Sequence, residues 1–195
     1  MTMTHPRTAD EWLEAVHREF ARETDRAAAI VAAAMLDEAL RVLIDKRLVP
    51  APSPERSILE RHDAALGSFA ARIDAAFQLG LISKYMARDL HLVRKIRNEF
   101  AHYPLELTFE ADAIRDRFRA LDETADYNRR EPATRTAIGP PGPRWDFFGI
   151  AAWMLYALHR EDVDRLVEHG PEFGYMDWTS LPEAIQEFLR SQQAT

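Results

Sequence analysis

A chain of 195 residues with 47% apolar and 29% charged residues has enough side chains to bury one proper core. Zero cysteines exclude disulfides, thiolate metal sites and cysteine nucleophiles together, which accords with a cytoplasmic setting. A net charge of −7 opposes generic coating of DNA, because phosphate binding depends on clustered Lys and Arg.

No apolar segment follows Met1-Thr-Met-Thr-His-Pro-Arg7, so no signal peptide is expected. Thr8-Ala-Asp-Glu11 has the form of a capping box and opens a helix through about Arg22. A long periodic run follows, from Asp25 to about Leu48. Ala29, Ala32, Ala33, Leu36, Leu40, Leu43 and Ile44 fall on one stripe of it, as the central helix of a bundle requires. Pro50, Pro52 and Pro54 break that helix, and Ser53-Pro54 predicts a short helix to about His62.

Leu66, Phe69, Ala70, Ile73 and Phe77 mark a further amphipathic helix, with Gly80 as its C-terminal stop. Ser83 caps the next helix, which Tyr103-Pro104 ends. Another is expected from Glu110 to about Asp122. Residues 126–144, rich in Pro, Gly and Arg, read as a loop. A strongly apolar helix begins near Trp145 and runs to about Glu168, and Ser180-Leu-Pro-Glu183 opens a last short one. The run from Phe147 to Leu158 is short of the roughly 20 apolar residues that span a bilayer.

The expected class is all-α. Residues 1–125 form a core helical bundle, 126–144 a loop, 145–169 a helix on the same bundle, and 170–195 an acidic tail with a short helix. From Arg160 onward eight acids face three arginines.

Polar chemistry concentrates in the helix ending at Tyr103. On a wheel of about 100° per residue, Met86, Leu90, Val93, Phe100 and Tyr103 share an arc with Arg97, while His91, Asn98 and His102 lie nearly opposite. A guanidinium on a packed face needs a partner. In the plain structural reading Arg97 pairs with Asp37 or Asp74, and His102 faces the helix dipole. In the chemical reading Arg97 clamps a phosphate, His102 moves protons and Asn98 orients them, a trio suited to metal-independent RNA cleavage. The two main groups diverge by about 140° on an ideal helix, so convergence needs an unwound end or a second copy.

Other groups have plain readings. Leu66-Gly67-Ser68-Phe69 places free N–H groups at a helix start, suited to an anion or simply to capping. Trp145, Phe147, Phe148, Trp153 and Tyr156 read as core. Arg94 and Lys95 beside the motif, with Arg129, Arg130 and Arg135 in the loop, are the candidate contacts for RNA or an acidic partner. The seven histidines form no H-E-x-x-H, and neither a metal nor a cofactor is expected.

Arg97-Asn98-Glu99-Phe100-Ala101-His102 resembles the R-polar-x-x-x-H motif of HEPN domains. That resemblance implies an all-α bundle, in many members a dimeric metal-independent ribonuclease. A toxin branch carries H-x-Y after the motif, whereas here His102 and Tyr103 are adjacent. A broader set of blocks is similar to the mannitol operon repressor (MtlR) family. These are Asp25-Arg-Ala-Ala-Ala-Ile-Val-Ala-Ala-Ala-Met-Leu-Asp-Glu-Ala-Leu40, Leu66-Gly-Ser-Phe-Ala-Ala-Arg-Ile-Asp74, Leu79-Gly-Leu-Ile82 and Leu92 to His102. This second resemblance implies a transcriptional regulator. No helix-turn-helix, zinc finger or basic zipper is visible, so binding of an unknown protein partner by a homodimer is expected, with neither sequence-specific DNA reading nor membrane insertion. The alternative is the HEPN-type nuclease built on Arg97, Asn98 and His102.

Overall fold

The computed structural model describes residues 8–103, 107–112, 114–118, 120–121 and 142–159, apart from the side chains of residues 9, 10 and 13. Every regular element among the described residues is helical, as the all-α reading requires.

Helix α1 (Ala9–Phe20) starts with the capping box foreseen at Thr8 and Glu11. Helix α2 (Asp25–Asp45) starts on Thr24, whose hydroxyl accepts from the Ala27 N–H at 3.2 Å. Its alanine stripe is buried from Ala28 to Ala39, letting neighbouring backbones approach closely, and Leu36, Leu40, Leu43 and Ile44 complete the seam. Helix α2 packs against α3 (Phe69–Gln78), α4 (Lys84–His102) and α5 (Pro143–Leu158), while α5 also lies along α1. It is the centre of the bundle.

Phe20, Phe100, Phe109, Phe147 and Phe148 are almost fully buried, and the Phe109 ring lies 4.9 Å from both Phe100 and Phe147. Each such ring contributes about 1.5–3 kcal/mol by burial. Arg144 sits over the Phe148 ring at 4.9 Å, pairs with Asp25, and donates at 2.7 Å to the carbonyls of both Phe20 and Glu23. The other Asp25 oxygen accepts the Phe109 N–H at 2.9 Å. Arg144 therefore belongs to the fold, joining α5 to the α1–α2 corner, and not to a basic loop surface.

Three expectations are corrected. The helix foreseen from Ser53 to about His62 is a single 3₁₀ turn, Pro54–Arg56, and the Ser53 side chain makes no cap bond. Helix α3 starts at Phe69 on the capping turn foreseen at Ser68, whose hydroxyl accepts from the Ala71 N–H at 3.2 Å. Phe77, placed on the apolar face by its period, is 46% exposed. Helix α5 begins at Pro143, using proline's fitness for a first helical turn, two residues ahead of the expected Trp145. The residues expected to continue it beyond 159 lie outside the described ones, as do residues 122–141.

Candidate functional site

Helix α4 carries the motif. Ser83 caps its start, accepting from the Met86 N–H at 3.2 Å. The helix is intact through His102, and the Tyr103 N–H still closes on the Glu99 carbonyl at 3.0 Å. Tyr103 then turns extended ahead of Pro104, and its carbonyl accepts from Arg26 of α2 at 2.8 Å. The end of α4 is thus fastened to the start of α2.

Two further contacts set the register of the bundle. Arg72 of α3 pairs with Asp37 of α2 at 2.7 Å, and Asp74 of α3 meets His91 of α4 at 3.0 Å. With Arg26 level with Tyr103 and Asp37 level with about His91, α2 and α4 run antiparallel. The short connection 79–83 makes α3 antiparallel to α4, hence codirectional with α2. Helix α3 starts three residues before Arg72, whereas α2 starts twelve before Asp37. Nine residues of α2, about 13 Å at 1.5 Å per residue, extend past the start of α3. Among the described residues, α3 does not cover the α2–α4 pair along that length.

This open edge explains where Arg97 sits. Leu90 and Val93, which share its side of α4, are fully buried; Arg97 is only half-buried, because it lies past the start of α3. The foreseen pairing with Asp37 or Asp74 is not made, since Arg72 holds the first acid and His91 the second. Among the described residues Arg97 has no hydrogen-bond or ionic partner. Tyr103, expected on the same packed arc, is 44% exposed.

Arg94 and Asn98 are half-buried on the same stretch, and the Arg94 Nε is buried without a hydrogen-bond partner among the described residues. Lys95 and His102 are exposed. On the α2 side, Ile30 is 37% exposed and Ala34 is exposed, one and two turns along from Arg26. These two were missed in the sequence, where α2 reads as one buried stripe. The signal that could have found them is the mismatch in length between a 21-residue α2 and a 10-residue α3.

Arg94 lies within about one turn of both Arg97 and Asn98 along α4; Arg97 and His102 are not brought together. With α4 helical to its last residue, the two point about 140° apart. The acids bordering the motif are engaged: Glu99 takes Arg117 at 2.6 Å and buried Asp89 takes Arg88 at 3.1 Å. Further along α2, the hydrogen bond from Arg41 holds the Glu38 carboxyl below the usual carboxylate range. Arg129, Arg130 and Arg135 lie outside the described residues.

The remaining candidates resolve simply. An added Cβ on Gly67 would lie 2.1 Å from the Arg61 carbonyl oxygen and 2.6 Å from that of His62, so carbonyls, not anion donors, crowd the start of α3. A wide groove of about 780 Å³ follows α2, lined chiefly by residues 48–60, with Val49 and Ile58 exposed. It contains none of the motif. Phe147 and Phe148 are core, as expected, although Trp153 is 45% exposed. Among the described residues no cluster of His, Asp and Glu could hold a metal, and no helix is long and apolar enough to cross a membrane.

No family model and no curated protein matches the chain. The fold is nevertheless shared with a solved structure, the MtlR–HPr complex from Escherichia coli. The alignment has a TM-score of 0.55 and 19% identity, covering 75% of this chain and 98% of the matched one. The chain therefore has an MtlR-like fold.

Proposed function

We propose that this chain is a cytoplasmic regulatory protein of the mannitol-repressor type, working through a protein partner and not by reading DNA bases. The observation that carries this reading is the fold likeness over 98% of a chain from a structure in which MtlR is complexed with HPr. The sequence blocks around α2, α3 and α4 support it, and so does the lack of any DNA-reading motif in the sequence. Protein binding also suits a site whose arginines sit beside exposed aliphatic carbon.

A HEPN-type ribonuclease is the second reading, favoured by one feature: Arg97 has no partner among the described residues. It requires a homodimer, because one copy presents Arg97 and His102 about 140° apart. In that arrangement Arg97 of one copy holds the phosphate, His102 of the other exchanges protons with the ribose hydroxyl and leaving oxygen, and Asn98 orients them.

Two measurements separate the readings. Titration calorimetry of the purified chain with HPr is expected to give saturable heat, and no heat up to high micromolar concentrations overturns the HPr-type reading. Incubation with mixed RNA, with and without chelator, is expected to leave the RNA intact. Cleavage by the wild type that His102→Ala abolishes overturns the binding reading in favour of the nuclease.

A further inference from the structure

The open edge of the α2–α4 pair has a composition that selects its occupant. Ile30 and Ala34 offer exposed aliphatic surface, and Arg94 and Arg97 border the stretch of α4 level with them. Among the described residues, Asp37, Asp89 and Glu99 are each held by an arginine of this chain. Helix α4 as a whole carries five Lys and Arg against two acids, in a chain of net charge −7. This edge is a basic and apolar strip on an acidic protein.

We propose that it is the docking site for a segment of a partner protein that carries apolar side chains flanked by carboxylates. The proposal deepens the protein-binding reading and rests on it. Arginine supplies the donors that a carboxylate matches in paired fashion. Ile30 supplies a dry centre, and arginine around an apolar anchor is the composition found at the energetic centres of interfaces. A second copy of this chain fits worse. A two-fold contact sets a patch against itself, and this patch would place arginine on arginine with no acid between. RNA fits worse too, because Ile30 and Ala34 provide no stacking surface and the chain's remaining charge is acidic.

The probe is a labelled peptide of two apolar residues between pairs of acidic ones, titrated into the full-length chain and followed by fluorescence anisotropy. Saturable binding is expected, weakened at least about tenfold by Arg97→Ala and by Ile30→Ser, and abolished by Arg97→Glu. Unchanged circular dichroism shows that each variant is folded. Equal binding of the same peptide with its carboxylates converted to amides overturns the proposal, as does indifference to all three substitutions. Displacement of the peptide by single-stranded RNA reassigns the edge to RNA and also overturns it. If HPr gives heat while the peptide fails, the docking site falls and the protein-binding reading stands. If the peptide binds as described while HPr fails, the docking site stands and the HPr-type reading falls.

Discussion

Two arginines in this bundle have opposite roles, and single substitutions can tell them apart. Arg72 is 9% exposed and saturated: it pairs with Asp37 at 2.7 Å and donates at 2.9 Å to the carbonyls of Leu59 and Leu66. It ties α2, α3 and the segment before α3 in one place. Removing it strands a carboxylate and two carbonyls, and Arg72→Ala is expected to cost about 3 kcal/mol in denaturant unfolding, near the lower bound for a broken buried pair because Asp37 keeps partial access to water. Arg97 forms no such bonds among the described residues, so Arg97→Ala is expected to cost under about 1 kcal/mol, mostly lost stem packing. A large loss at Arg97 would mean that the fold needs it and that its exposure serves no binding role. The sequence pointed to Asp37 as a partner for arginine but could not say which arginine. That choice depends on which helix lies alongside, and no local pattern encodes it.

At the scale of elements, what was legible is what is local. The box at Thr8, the caps at Ser68 and Ser83, and the stop at Tyr103-Pro104 all involve residues within four positions of each other, so their chemistry is written in the string. Gly80 is the same kind of signal. At φ 71° it takes the left-handed turn that ends α3, donating to the Phe77 carbonyl while the Leu81 N–H donates to Ala76, both at 2.9 Å. What was not legible is where an element loses its neighbour. Phe77 keeps the apolar period yet is exposed, and Arg97 sits on a packed side yet is half open. Both follow from how far adjoining helices extend, which is a property of the assembled bundle. Gly67 is a tertiary glycine and Gly80 a conformational one, and alanine should report the difference. Gly67→Ala is expected to cost about 2 kcal/mol or more, because backbone carbonyls at 2.1 and 2.6 Å cannot yield as a side chain would. Gly80→Ala meets nothing within 4 Å and is expected to cost only the left-handed penalty, about 1 kcal/mol. Equal thermal shifts for the two would show that the segment before α3 is not pinned against Gly67.

Across the whole molecule, charge is segregated. The chain is net −7, yet α4 is net basic, and its own acids are spent on internal pairs. Segregation of this kind speaks to assembly. Two copies joined through the α2–α4 edge would bring two basic strips together, and like charges at close range cost more than exposed aliphatic contact of this small extent returns. An opposing acidic partner gains from the same arrangement, by an amount that falls with salt as the charges are screened over about 8–10 Å. Sedimentation velocity on wild type and Arg97→Glu therefore tests the nuclease reading from the side of assembly. Charge reversal at the edge is expected to leave the sedimentation coefficient unchanged at low and at physiological salt. If instead the wild type is a dimer that Arg97→Glu dissociates, the edge is a contact between copies. Arg97 and His102 from two chains could then face each other, and the geometry that now separates them by about 140° would favour cleavage over binding.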